Sequence, residues 1–300
     1  MPAGRGRDGG QPRLMTRPAR QAGALDIIAV CALGLAGAGI HARADQLPQW
    51  EVGVGVAAID LPDYPGAEER TSYVLPLPFF VYRGDIFKVD REGVRGLFFK
   101  TDAVELELSA NASVPVKSEN NQARQGMQDL DPTLEIGPTL NFTLYRGPTR
   151  QSAVQLRLPV RGVIATDFTY ARWEGVVFQP QLTLDLHHLT PLSGWRVGVA
   201  AGPMFGDSRY NSYYYSVAPA YATPSRPAYS APGGYTGTQL ILSTSRRFPS
   251  FWVGAYVRWN QLSGAAFEDS PLVKRQQAFS CGFAVAWVFK RSSTLVEADD

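Results

Sequence analysis

From Val104 to Val114 the chain alternates without a break. Val104, Leu106, Leu108, Ala110, Ala112 and Val114 fall on one face of an extended strand, and Glu105, Glu107, Ser109, Asn111 and Ser113 on the other. Successive side chains on a strand point to opposite faces, so this segment predicts a strand with one apolar and one polar face. Leu134, Ile136, Leu140, Phe142 and Leu144 repeat the pattern against Glu135, Thr139, Asn141 and Thr143. So do Phe178, Leu182, Leu184 and Leu186 against Gln179, Gln181, Thr183 and Asp185. Near the end, Phe279, Cys281, Phe283, Val285, Trp287 and Phe289 share one face, with Ser280, Gly282, Ala284 and Ala286 opposite.

A soluble sandwich gives such alternation too, but three features favour a membrane barrel. Several segments run to roughly 12–18 residues, against the usual 5–6 of globular strands. The polar faces carry Gly, Gln, Asn, Thr and charges of both signs, which suits a wet lumen. Aromatic residues gather at segment ends (Trp50, Tyr82, Tyr145, Trp173, Trp195, Phe248, Phe251, Trp252), where an interfacial girdle sits. With 29 Gly and 22 Pro in 300 residues, long helices are disfavoured. The near balance of 29 Lys+Arg against 27 Asp+Glu removes the electrostatic footprint of a nucleic-acid binder.

Residues 1–44 read as a secretory signal peptide. Arg5, Arg7, Arg13, Arg17 and Arg20 precede an apolar run from Ile27 to Ile40, and Ala42-Arg43-Ala44 is an A-x-A cleavage site. The run is too short to span a bilayer as a helix. Met15 would begin a signal of ordinary length. Cys31 does not make a lipoprotein site, because Val30 stands where a small residue is wanted. The mature chain, 45–300, keeps 23 Lys+Arg against 25 Asp+Glu and a single cysteine, Cys281, so no intramolecular disulfide is expected.

The fold class expected is all-β, a single transmembrane antiparallel β-barrel of about 12 strands, with 10 as the alternative count. The segments are 50–59, 73–83, 86–91, 94–100, 104–115, 133–146, 152–166, 172–189, 195–206, 236–248, 251–262 and 277–289. The short, charged pair 86–91 and 94–100 is the weakest; merging it would reverse the sense of every later loop. Connections 60–72, 116–132, 207–235 and 263–276 are long; 84–85, 101–103, 147–151, 190–194 and 249–250 are short. Placing the long ones outside and the short ones in the periplasm follows the rule for outer-membrane barrels. The polar tail 290–300 is expected to extend into the periplasm.

Residues that carry chemistry are few. His187 and His188 are neighbours on a strand and face opposite ways, so they do not chelate one metal together. Asp185 shares the face of His187, a spacing that fits an oriented base or a plain lumen hydrogen bond. No G-x-S-x-G or similar nucleophile motif is present. The expectation is therefore no catalytic residue, no cofactor and no metal site. Glu105, Glu107, Glu135 and Asp185 are expected to face Arg157, Arg161, Arg196 and Arg258 across the lumen, as a rigid ion-paired interior or as a selectivity ring. Asp129 and Asp131 echo calcium spacing, but nothing completes such a site. The loop 207–235 holds seven tyrosines among four prolines. So aromatic a loop is expected to fold over the barrel mouth, with Gly233-Gly234 as its hinge.

Several motifs in these loops resemble a known family. They are Asp63-Tyr64-Pro65-Gly66-Ala67, Leu75-Pro76-Leu77-Pro78-Phe79, Tyr82-Arg83-Gly84-Asp85 and Asp129-Leu130-Asp131-Pro132-Thr133-Leu134. They continue with Ser225-Arg226-Pro227-Ala228-Tyr229, Gly233-Gly234-Tyr235 and the run from Gly264 through Glu268-Asp269-Ser270-Pro271 to Val273. In this order, over about 50–289, they are similar to the MipA/OmpV family of Gram-negative outer-membrane barrels. The resemblance implies a non-enzymatic scaffold that engages a lytic transglycosylase and a bifunctional penicillin-binding protein, in contact with outer-membrane lipid. A narrow solute channel or an adhesin is the alternative. It carries over no catalytic residues. The expected partner-binding residues are Tyr64, Asp129, Asp131, Tyr213, Tyr214, Tyr215, Tyr229, Tyr235, Glu268 and Asp269. A periplasmic partner sits awkwardly with motifs that lie mostly in outside loops.

Overall fold

The computed structural model describes residues 46–84, 87–90, 93–148, 152–167, 169–187 and 194–297. The expected signal peptide and His188 lie outside the described residues. The strands are β1 (Gln46–Pro48), β2 (Trp50–Pro62), β3 (Arg70–Arg83), β4 (Phe87–Asp90), β5 (Gly93–Lys100), β6 (Val104–Ala112), β7 (Thr133–Arg146) and β8 (Ser152–Thr166). They continue as β9 (Ala171–Phe178), β10 (Gln181–His187), β11 (Trp195–Gly206), β12 (Gly234–Arg247), β13 (Phe251–Gln261), β14 (Gln277–Arg291) and β15 (Leu295–Glu297). Among the described residues one α-helix, α1 (Ser208–Tyr215), interrupts the sequence of strands.

β2 to β14 form one antiparallel sheet that closes on itself, because β8 and β11 each pair with both β9 and β10. β9 and β10 thus share one position in the wall, and the barrel has 12 strand positions. The weak pair of the sequence reading forms β4 and β5, a hairpin of its own.

The segment expected as one strand over 172–189 is interrupted at Gln179-Pro180, and the cause is chemical. Phe178 faces Phe205 and Leu182 faces Ala201, so Pro180 lies across from Pro203. Neither residue has an N–H, so the ladder lapses there while the strand keeps its course.

Burial follows the predicted faces. On β7, Thr133, Glu135, Thr139 and Asn141 are buried toward the lumen, while Leu134 and Ile136 are exposed outward. On β14, Phe279, Phe283, Trp287 and Phe289 are exposed while Ser280 and Ala286 are buried. An outward apolar band is what lipid requires.

The two ends of the barrel differ. The connections 63–69, 113–132, 207–233 and 262–276 all emerge at one end. At the other end are short turns and both ends of the described chain. There β1 pairs with β15 as a two-stranded ribbon separate from the barrel sheet. The tail expected as a plain polar extension therefore returns as a strand. The principal hydrophobic core lies at the long-loop end, where Tyr64, Val116, Leu130, Tyr215, Val217, Leu262, Phe267 and Leu272 form one buried cluster.

Candidate functional site: the loop cap and the arginine-lined vestibule

The long loops fold into a cap over the mouth. Asp207 starts α1 as its N-cap: one carboxylate oxygen accepts from the Tyr210 amide at 2.8 Å, the usual device for satisfying the free donors of a first turn. The other accepts from the Val176 amide at 3.1 Å, which clamps the helix to β9. This contact needs a glycine beneath it. Gly175 has φ +107°, and a Cβ there would lie 2.1 Å from the Asp207 carboxylate. Tyr210 then packs on Val163 and Val177 inside the barrel wall.

The rest of the cap is cross-tied through tyrosines and arginines. Tyr215 stacks on Phe267 with ring centroids 3.6 Å apart, and Tyr64 meets Tyr215 edge-on. The Tyr64 hydroxyl donates to Leu272 O at 2.9 Å, Tyr215 to Pro65 O at 2.8 Å, and Tyr213 to Asp131 O at 2.9 Å. Arg124, only 3% exposed, donates to Tyr214 O and Gln128 O, and its guanidinium lies 5.8 Å over the Tyr64 ring. Arg226 donates to Ala123 O and Gln125 O. Each polar tip thus satisfies a loop carbonyl, which lets aromatic rings be buried without stranding backbone acceptors.

Burial sets the acidity of these phenols. Desolvation pushes Tyr214 up to about 12 and raises Tyr64 and Tyr215 as well. The folded cap therefore holds these protons more tightly than the unfolded chain, whose tyrosines ionise near pH 10. The stabilisation is complete below about pH 10 and is lost as pH rises through the folded values. In an alkaline titration followed by tyrosinate absorbance, the cap tyrosines should lag the exposed ones, then ionise as the cap releases.

The expected partner residues separate into two groups. Tyr64 and Tyr215 are buried in the cap, and Tyr213, Tyr214, Tyr229 and Tyr235 are partly buried. Asp131 accepts from the Tyr170 hydroxyl, and Asp129 from Lys117 and the Ser118 amide. Asp129, Glu268 and Asp269 are exposed.

Below the cap, the polar faces form a connected band. Glu107 pairs with Arg157 at 2.8 Å and Glu135 with Arg161 at 3.0 Å. Arg161 donates to Gln179, Gln179 to Gln239, and Gln239 to Asn260, all at 2.9–3.0 Å. The acid–arginine facing read from the alternation is present for these two pairs. Arg258 instead lies with its guanidinium 5.8 Å over the Tyr256 ring. Among the described residues, no group of three or more His, Cys, Asp or Glu is placed to hold a metal ion.

Sequence reasoning missed a vestibule at the short-turn end. A cavity of about 590 Å³ lies between the terminal ribbon and the barrel rim, lined by Leu47, Arg196, Arg247, Phe248, Arg291 and Ser292 among others. Arg247 is fixed from behind by Glu51, which is fully buried. No periodic signal marks this site: its walls come from three-residue strands and strand ends far apart in the chain.

The sequence profile of the family described as MltA-interacting protein MipA matches residues 54–289. Outer membrane protein OmpV of Vibrio cholerae is 26% identical over 216 residues, 70% of this chain and 76% of OmpV. Among solved structures, a bacterial polysaccharide outer membrane secretin aligns with a TM-score of 0.39 and 9% identity, over 80% of this chain and 99% of the other. An outer membrane channel from Pseudomonas putida aligns with a TM-score of 0.38 and 11% identity, over 84% and 100%. The family match runs from within β2 to within β14 and takes in the whole barrel wall, so this chain belongs to the MltA-interacting protein (MipA/OmpV) family of the Gram-negative outer membrane.

Proposed function

We propose that the protein is a non-enzymatic scaffold of the cell envelope that docks a periplasmic murein enzyme at its short-turn end. The observation that carries this reading is the arginine-lined vestibule at the short-turn end. At the long-loop end, the tyrosines and arginines are spent on one another and on loop carbonyls. At the short-turn end, the ribbon and a vestibule bearing Arg196, Arg247 and Arg291 stand at the rim. A partner presenting carboxylates fits such arginines, whose planar forks bind carboxylate in a bidentate manner. The family name points to a lytic transglycosylase as that partner, and the family resemblance adds a bifunctional penicillin-binding protein. The exposed surface of the long-loop end, by contrast, mixes Asp129, Glu268 and Asp269 with Lys117, Lys274 and Arg275.

A photo-crosslinking side chain at Leu295, compared with one at Glu268, separates the two ends in intact cells. The expected result is capture of a lytic transglycosylase from Leu295 and not from Glu268. Arg291→Glu should reduce that capture several-fold while the barrel still assembles. Capture from Glu268 alone would overturn both the docking site and the orientation.

A further inference from the structure

The barrel wall has a gap between β3 and β6. β3 pairs with β2 along its whole length, from Arg70 to Tyr82, without a register shift. On its other side it pairs with β4 only through Tyr82 and Arg83. The β4–β5 hairpin ends at Asp90 and Gly93. β5 in turn leaves β6 above Leu108. Among the described residues, β3 from Arg70 to Pro78 and β6 from Ser109 to Ala112 therefore have no strand partner across this gap. The Tyr73 hydroxyl reaches Pro115 O at 3.3 Å and ties the gap above.

The sequence of β3 is fitted to an open edge. The Arg83 amide donates to Gln49 O at 2.7 Å, so odd-numbered residues of β3 direct their backbone groups toward β2. Even-numbered residues direct theirs toward the gap. Pro76 and Pro78 are even-numbered, so the N–H groups they lack are ones that would have faced it. Between Val74 and Phe80 the edge offers carbonyl acceptors and no donor. An edge of this kind does not template another β-strand, which needs both. In hydrocarbon, unpaired carbonyls are costly, so they call for water or for a ligand that brings donors.

The flanks of the gap are apolar. Val74 is 74% exposed outward, and Leu75, on the lumen face, is still 40% exposed. Leu77 and Phe79 follow Leu75 on the lumen face, and the adjacent lumen face of β2 is bare at Gly53 and Gly55. A Cβ at either glycine would strike a β14 carbonyl, at 2.1 Å and 2.3 Å. There is thus an apolar surface beside an acceptor-only rim, with a small-residue wall behind it.

We propose that this gap is a lateral portal between the bilayer and the lumen for amphipathic molecules whose polar group donates hydrogen bonds. The apolar body lies along Leu75, Leu77 and Phe79, and an amide, hydroxyl or amine donates to the Val74, Pro76 and Pro78 carbonyls. The portal is independent of the scaffold reading and needs no periplasmic partner.

The test uses the full barrel reconstituted in phosphatidylcholine vesicles, with two photoactivatable probes of equal chain length. One is a diazirine fatty amide, and the other is the corresponding methyl ester, which has no donor. Mass mapping should find fatty-amide adducts on lumen-facing Leu75 and Leu77 as well as on outward Val74, and none on lumen-facing Thr183 or Ser243, across the barrel. The methyl ester should label Leu75 and Leu77 at least fivefold less. Leu77→Trp, which fills the lumen side, should cut labelling of Leu75 by a similar factor in protein that keeps its heat-modifiable migration. Adducts confined to outward residues would overturn the portal, and equal labelling by both probes would overturn the ligand class. Both results are read from the wild-type barrel, so neither depends on the variant folding.

Discussion

Phe267→Ala is expected to release the cap while leaving the barrel intact. Phe267 is fully buried and stacks on Tyr215, so its truncation removes a large side chain and leaves a cavity between loops. Such a change costs about 3–5 kcal/mol in a well-packed core. The cost falls on the loops, because the wall is held by its own strand pairing. The variant should keep heat-modifiable migration on gels, while its loop 216–230 becomes sensitive to protease. Deleting 212–232 removes the same packing outright. Conductance in planar bilayers should then rise from a closed baseline if the cap obstructs the lumen. Unchanged protease resistance in Phe267→Ala would show that the cluster does not hold the loops down.

Leu140→Arg is expected to destabilise the barrel by about 2–4 kcal/mol, the cost of placing arginine on the lipid face near the midplane. Leu106 faces Leu140 across the β6–β7 ladder and should behave alike. The contrast is Ser243→Arg. Ser243 faces the lumen, lies opposite Gly198 and is exposed to water inside the barrel. That change should stay within about 1 kcal/mol, because the lumen hydrates the charge. Equal losses at the two positions in a urea-folding assay in lipid would invalidate the face assignment.

Ser243 marks where alternation stops being informative. Ser109 and Thr139 share its polar register in the sequence and read as equally tolerant sites. In the structure they bond to each other at 2.6 Å, and Thr139 is 1% exposed. Period two assigns a residue to a face, since it follows from the geometry of one strand. It carries no measure of the free volume on that face, which depends on the strands opposite. In the same way, Glu107–Arg157 and Glu135–Arg161 were legible as acids and arginines of one face. The course of the amide band from Arg161 through Gln179 and Gln239 to Asn260 was not.

The cap was half legible. Seven tyrosines with four prolines in 207–235 already implied a folded loop, because that much aromatic surface does not stay in water. Their partners, Phe267, Tyr64, Pro65 and Asp131, come from three other loops and could not be named from spacing. Tyr64 and Tyr215 were expected to meet a partner and are instead buried, because a tyrosine's composition signal is the same for a binding surface and for a core.

By itself the sequence determined an antiparallel barrel of about twelve strands, the two faces and the unequal ends, since strand periodicity, proline and glycine placement and loop length are local properties. Only the tertiary structure decided which loops share a core, that β1 and β15 meet beside an arginine-lined vestibule, and that among the described residues β3 has no strand neighbour along most of one edge. Those features arise where segments distant in the chain are brought together by barrel closure, and no single segment carries their pattern.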